Sequence, residues 1–129
     1  MAKAVAANPD RGEHELVLAG TTYRLRPSHT ALITIERKTG RSTLALVRLG
    51  NSAELSLAEL GTIGAELIRA GAAEDDVMTR SVDADRIGEL IFEEGITPAM
   101  SRFTLCLLDA ATGGRTASGE AKAAPATKK

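Results

Sequence analysis

The sequence is poor in cysteine, in aromatic residues and in long apolar runs. Its single cysteine, Cys106, leaves no internal disulfide, which is typical of proteins in a reducing compartment. No apolar run approaches the roughly 18 residues that a membrane-spanning helix needs, and the N-terminal residues lack the apolar segment of a signal peptide. We therefore expect a soluble cytoplasmic protein with no membrane partner.

Aromatic residues make up only 2% of the chain, and they are Tyr23, Phe92 and Phe103. The core of this 129-residue chain must therefore come from Leu, Ile, Val and Ala, and the hydrophobic content of 43% is that of an ordinary single domain. Because unpaired bases stack on aromatic side chains, and because the formal net charge is −1, we expect no nucleic-acid partner.

The small net charge conceals an uneven distribution along the chain. Residues 24–48 hold six basic residues and one acid, whereas residues 54–94 hold eleven acids and three basic residues. One interpretation is that these are the solvated faces of helices. The other is a dipolar surface that docks further copies or partners through complementary charge.

Alternating apolar residues predict a β-hairpin near the N-terminus. A two-residue loop of Gly20 and Thr21 fits a type II′ turn, because glycine accepts the positive φ of its first position. This loop places Leu18 opposite Tyr23 and keeps the apolar side chains on one face. The other predicted pairs are Leu16 with Leu25, Val17 with Arg24, and Glu15 with Arg26.

A second register of the same hairpin has its loop at residues 19–20. It sets His14 opposite Leu25 and Thr21 opposite Leu18, which pairs polar with apolar side chains, so we expect the first register. In either case a lone hairpin is marginal in water, so its apolar face must be covered by the helices that follow.

Capping residues, glycine stops and apolar periodicity predict five short helices after the hairpin. Their predicted spans are Ser28 to Thr39, Ser42 to Leu49, Ser56 to Gly71, Asp83 to Gly95, and Thr97, with Pro98 at the first helical position, to Gly113 and Gly114. Their predicted inward residues are Ala31, Leu32 and Ile35; Leu44 and Val47, with Leu46 left open; Leu57, Leu60, Ile63, Gly64, Leu67 and Ile68; Ile87, Leu90 and Ile91; and Met100, Phe103, Leu107, Leu108 and Ala111. The predicted fold class is therefore α+β, predominantly α, with an N-terminal β-hairpin packed on about five short helices.

Two glycines, Gly61 and Gly64, stand inside the third predicted helix, where each costs about 1 kcal/mol relative to alanine. They are either tolerated surface residues or positions where another helix, from the same or a neighbouring subunit, approaches closely.

Composition also sets the expected limits of the folded domain. Residues 1–12 are mainly Ala, Lys, Asn, Pro and Asp, and residues 115–129 contain no large apolar side chain able to offset the entropy of ordering, so we expect a disordered N-terminus and a disordered, basic C-terminal tail. A single helical domain with its N-terminal hairpin is then expected over residues 13–114.

No arrangement of residues in the sequence indicates catalysis, a cofactor or a metal. His14, His29 and Cys106 lack the spacing of metal ligands, and we interpret the histidines as structural or solvated and the cysteine as buried. Acid pairs such as Glu93 with Glu94 have no apolar pocket nearby to shift a pKa. We therefore expect a protein that is not an enzyme, with no catalytic, cofactor-binding or metal-binding residues.

One segment resembles a known family. It is RGEHELVLAGTTYRLRPSHTALITIERKTG, residues 11–40, together with Leu44, Val47 and Arg48. The segment is similar to the gene transfer agent family of small proteins, found in the head-to-tail gene cluster of tailed phages, prophages and phage-like gene transfer agents. It covers about a third of the chain closely, and none of its motifs is catalytic. The features that carry the resemblance are Arg11-Gly12-Glu13, Tyr23-Arg24-Leu25-Arg26-Pro27, Ala31-Leu32, Ile35-Glu36 and Gly40.

The resemblance implies a phage tail assembly chaperone that coats the tape measure protein before the tail tube polymerises around it. Its implied partners are the tape measure protein, the tail tube protein and further copies of itself. Members of the family are also described as tail tube proteins, but the long β-rich body of a tube subunit is not expected from this sequence. The alternatives are a minor structural tail component and a small helical adaptor or regulatory module unrelated to phage tails.

Overall fold

The computed structural model describes residues 6–8, 12–113 and 117 of the chain. Within them, a two-stranded antiparallel hairpin is followed by six helices, which confirms the predicted class. The strands are β1 (His14–Leu18) and β2 (Thr21–Leu25), and the helices are α1 (His29–Thr39), α2 (Thr43–Asn51), α3 (Leu57–Gly71), α4 (Val77–Arg80), α5 (Ala84–Glu94) and α6 (Ile96–Thr112).

Three of the helices begin after a serine that satisfies an otherwise unpaired backbone donor. Ser28, Ser42 and Ser56 have extended backbones, and each hydroxyl accepts a hydrogen bond from the amide N–H three residues later. At α3 the Glu59 carboxylate accepts a hydrogen bond from the Ser56 N–H at 2.9 Å, which completes a capping box. Each cap stabilises its helix by about 1 kcal/mol. The predicted starts of these helices are confirmed.

Helix α3 is the centre of the molecule and contacts α1, α4, α5, α6 and β2. Its predicted stripe is confirmed, because Leu60, Ile63, Leu67 and Ile68 have no exposed surface. Phe103 of α6 is equally buried and completes this core. Burying each of these side chains stabilises the fold by about 1.5–3 kcal/mol.

The glycines of α3 lie where neighbouring elements approach most closely. A Cβ atom at Gly61 would lie 2.6 Å from the Ala84 carbonyl oxygen of α5, and one at Gly64 would lie 2.8 Å from the Phe103 ring. Both glycines are buried. The interpretation that another helix approaches here is confirmed, and that helix belongs to the same chain.

The hairpin docks on the C-terminal half of α3 through hydrogen bonds to backbone carbonyl oxygens of the helix. The Arg26 N–H donates a hydrogen bond to the Leu67 carbonyl oxygen at 3.0 Å, and Arg24 Nε donates to the Gly71 carbonyl oxygen at 2.5 Å. A Cβ atom at Gly71 would overlap the Arg24 carbonyl. The helix therefore ends on a glycine because a strand lies directly against it.

The preferred hairpin register is wrong. Leu18 lies opposite Thr21 and not Tyr23, so the loop is Ala19 and Gly20. Both loop residues have positive φ, 51° and 80°, which is the requirement of a type I′ turn. The two registers differ by a shift of two residues, which leaves every side chain on its own face, so face separation could not decide between them. The other observed pairs are His14 with Leu25, Glu15 with Arg24, Leu16 with Tyr23 and Val17 with Thr22.

Helix α2 also departs from its prediction. It continues to Asn51, two residues beyond the predicted end at Leu49, and is followed by Ala53 at a φ of 58°. Its buried residues are Leu46 and Val47. Leu44 was expected to point inward but lies on the opposite side of the helix, with 56% of its surface exposed.

The start of α6 is determined by Gly95 rather than by Thr97. Gly95 has a φ of 115° and serves as both the end of α5 and the N-cap of α6, without a side-chain cap. Pro98 is then the third helical residue, which is tolerated because the first four N–H groups of a helix have no helical partner. Leu108 and Ala111, expected to be inward, lie on the exposed side of α6.

The segment around Val77 and Met78, for which no element was predicted, forms the short helix α4. The Asp76 carboxylate caps it by accepting hydrogen bonds from the Thr79 N–H at 3.1 Å and hydroxyl at 2.6 Å. These hydrogen bonds hold the pKa of Asp76 below its ordinary value. Val77 and Met78 are exposed, so α4 is held by its cap rather than by burial.

Residues 6–8 lie beside β1. The Asn8 N–H donates to Glu13 Oε1 at 2.8 Å, and the Ala7 N–H donates to Glu15 Oε2 at 3.0 Å. Residues 1–5, 9–11, 114–116 and 118–129 lie outside the described part of the chain. The expected limits of the domain at residues 13 and 114, and the expected disorder beyond them, therefore stay predictions.

The observed loop predicts that Ala19→Asn stabilises the protein. Alanine in the left-handed conformation costs about 1 kcal/mol, whereas asparagine is favoured at this position of a type I′ turn. We expect the free energy of unfolding in urea to rise by about 0.5–1 kcal/mol. In the register with a loop at residues 20–21, position 19 would belong to the strand and asparagine would weaken it, so a loss of stability would contradict the observed turn.

The capping box of α3 predicts a dependence of stability on acid. Burial by itself raises the pKa of the Glu59 carboxyl, but hydrogen bonds from Ser56 and Arg41 outweigh burial and hold the pKa below its ordinary value. The carboxylate therefore adds stability above its unfolded pKa, and this is lost as the pH falls through the lower folded pKa. Between pH 7 and roughly pH 3, Glu59→Gln should lose less free energy of unfolding than the natural protein. Equal losses in urea titrations would contradict this.

Candidate interaction surfaces

Part of the uneven charge of the sequence is neutralised inside the molecule. The basic segment packs on the acidic segment of the same chain, where Lys38 Nζ lies 2.8 Å from Glu66 Oε2 and Arg41 Nε lies 2.6 Å from Glu59 Oε2. These pairs connect α1, and the loop after it, with α3. They are therefore part of the fold and do not leave the whole basic segment as a docking surface.

Glu66 is the most connected of these acids. Its residue is 9% exposed, and its Oε2 atom accepts hydrogen bonds from Lys38 Nζ and, at 2.7 Å, from Arg69. Arg69 also donates from Nε to the Val82 carbonyl oxygen at 2.8 Å. Through Arg69, the Glu66 carboxylate connects α1 and α3 to the link between α4 and α5. Removal of Lys38 or Arg69 would leave the nearly buried charge of Glu66 with less compensation.

The structure does not bring the two histidines and the cysteine together in one site. His14 of β1 lies 3.5 Å from Asp109 of α6, His29 is exposed at the first position of α1, and Cys106 is buried, as expected. Within the described residues, no group of three or more His, Cys, Asp and Glu side chains is placed to hold a metal ion. The structure therefore supplies structural roles for His14 and Cys106.

Exposed leucines lie on α2 and on α6, two helices that pack against each other. We call Leu44, Leu105 and Leu108 the leucine face; they are 56%, 51% and 36% exposed. Leu105 and Leu108 are three residues apart, so they lie on neighbouring positions of the outward side of α6. Sequence analysis placed Leu44 and Leu108 in the core, because a leucine-rich helix offers more than one apolar stripe.

Helix α5 exposes an acidic stripe with an aromatic residue within it. We call Asp85, Glu89, Phe92 and Glu93 the Phe92 stripe; their spacing of 4, 7 and 8 residues from Asp85 places them on one side of a helix. Phe92 is 67% exposed. The exposure of Phe92 could be predicted from the helical period of the sequence, because Phe92 falls outside the inward stripe of Ile87, Leu90 and Ile91.

A cavity of about 390 Å³ opens between α1 and α3. We call it the arginine cavity, because the side chains of Arg26, Arg69 and Arg80 line it together with a single acid, Glu66. Ala31 and Ala70 provide small apolar wall positions. The three arginines come from the link after β2, from α3 and from α4, so only the folded chain brings them together.

These features define a small, mostly helical domain that presents an apolar surface and two oppositely charged ones. The family model for a phage tail tube protein, GTA-gp10, matches residues 11–91, and the chain belongs to this family. The match covers the hairpin, α1–α4 and most of α5. No curated protein and no solved structure matches the chain. The protein is therefore related to the tails of phages and gene transfer agents, as the resemblance of residues 11–40 implied.

The family match supports a structural role in a tail-related assembly. It makes an adaptor unrelated to phage tails the weaker alternative. Among the helices that the structure describes, none is long and apolar enough to cross a membrane.

Proposed function

We propose that this protein is a non-enzymatic tail assembly chaperone that binds an apolar helix of the tape measure protein. The observation that carries this proposal is the leucine face, where three leucines on two well-formed helices remain exposed. An apolar helix that lies across such a surface buries one of its own stripes, which is the common helix-in-groove mode of recognition. The expected cytoplasmic location belongs to this proposal, since assembly precedes completion of the tail.

The small amount of strand structure supports a chaperone over a tube subunit. In the described residues the only sheet is the hairpin of β1 and β2, whereas a tube subunit is expected to have a long β-rich body. The description of the family as a tail tube protein favours a structural tail component as the second candidate. The two candidates differ in whether the protein remains in the finished particle.

Co-expression with the tape measure protein of the same tail gene cluster tests the proposal. The partner alone should aggregate, and co-expression should yield a complex that elutes as one species with a mass measurable by light scattering. Leu105→Glu should weaken binding by about tenfold or more, because a charge replaces the more exposed of the two leucines that α6 contributes. Val17→Glu is the matched control, because Val17 is also an exposed apolar residue, with 56% of its surface exposed. It lies on the outer face of the hairpin, opposite the face that carries the buried leucines.

Two results would contradict the chaperone proposal. One is a tape measure protein that is equally soluble without this chain, and the other is equal binding by the natural protein and Leu105→Glu. Mass spectrometry of purified particles separates the second candidate, because a tube component is present in stoichiometric amount and a chaperone is not.

A further inference from the structure

The arginine cavity carries an excess of positive charge on its walls. Its lining contains three arginines and one acid, Glu66, and the Glu66 carboxylate accepts hydrogen bonds from Lys38 and Arg69. Arg80 is anchored by donating a hydrogen bond to the Glu74 carbonyl oxygen at 2.8 Å, so its guanidinium is held near the cavity. A guanidinium pairs with carboxylates and also stacks on aromatic rings. The cavity is therefore suited to an aromatic side chain with acids beside it.

The Phe92 stripe is such a group, and the same chain carries it. Phe92 projects from α5 with Glu89 three residues before it and Glu93 next to it. Glu89 pairs with Arg86 at 3.1 Å, but both side chains are more than half exposed, so the pair contributes little and can be exchanged for another cation. The stripe has no covering element in the described part of the chain, as the exposure of Phe92 shows.

We propose that a second copy of this chain docks its Phe92 stripe in the arginine cavity. The phenyl ring enters between the guanidinium groups and the alanine walls, while Glu89 and Glu93 pair with the arginines at the rim. Charge complementarity argues for a second copy as the occupant, because the stripe carries three acids and the cavity lining carries more arginines than acids. This inference is independent of tape measure binding, since neither surface includes the leucine face.

The contact joins two different surfaces, so it is heterologous. Each copy that donates a stripe still has an open cavity, and association therefore continues into a ring or an open chain instead of stopping at a symmetric dimer. Because the paired charges lie at an exposed rim, association should weaken as salt shortens the Debye length from roughly 30 Å at 0.01 M to roughly 8 Å at 0.15 M.

Sedimentation velocity of the natural protein at low salt tests the contact. We expect a mass that rises with concentration. Phe92→Ala, Glu89→Arg and Arg80→Glu should each weaken association by about tenfold, and the double variant with Glu89→Arg and Arg80→Glu should recover it. Val17→Ala and Arg48→Glu, which remove an exposed apolar group and a cation elsewhere, should leave association unchanged. Circular dichroism of each variant checks that the helices are intact.

A mixture of two defective variants gives the sharpest result. Phe92→Ala retains a complete cavity, and Arg80→Glu retains a complete stripe, so an equimolar mixture should form a dimer that cannot extend. A natural protein that is monomeric at every concentration and salt would overturn the proposal, as would the absence of this dimer. Equal weakening by Val17→Ala or Arg48→Glu would overturn it as well. A monomer that instead binds an acidic, aromatic segment of another protein in the cavity would assign the site to a different partner.

Discussion

Close approach of other elements to α3 is the constraint on which the rest of the structure depends. The helix is surrounded by four helices and a strand, and its glycines allow this crowding. Gly61 and Gly64 admit α5 and the Phe103 ring, and Gly71 admits the backbone of β2. Any side chain at these positions would push a neighbour outward and open the aliphatic core. With so few aromatic residues to fill gaps, the fold relies on short distances between backbones rather than on large side chains.

Burial of the acidic helix α3 against basic segments explains which surfaces remain for partners. Glu59 and Glu66 are paired within the fold, so the acids that stay on the outside are mainly those of α5 and of the loop before α4. The exposed leucines lie on other helices, α2 and α6. In the proposed assembly these separate locations let one copy contact its neighbours and an apolar helix at the same time, which a protein that coats a long partner requires.

Local signals in the sequence predicted most of this fold. The predictions that were wrong arose where a sequence pattern had two structural solutions. Serine caps predicted the starts of the first three helices, and glycine stops predicted the ends of α1 and α3, because those interactions involve residues only a few positions apart. The hairpin register was missed because a two-residue shift preserves both faces, so the backbone angles of Ala19 and Gly20 decide it. The arginine cavity was not predictable, because its residues are far apart in sequence. The Phe92 stripe follows the helical period of the sequence and lies outside the predicted inward positions of α5.

The position of the only tyrosine gives the two parts of the fold separate optical signals. The chain has no tryptophan, and Tyr23 lies half-buried on the hairpin, packed against the core. Its emission therefore reports on the contact between hairpin and α3, whereas far-ultraviolet circular dichroism reports almost entirely on the helices. Transitions that coincide in the two signals mean that hairpin and helices unfold as one unit. Transitions that separate mean that the hydrogen bonds from the Arg24 side chain and the Arg26 N–H to α3 open first and leave a helical remainder.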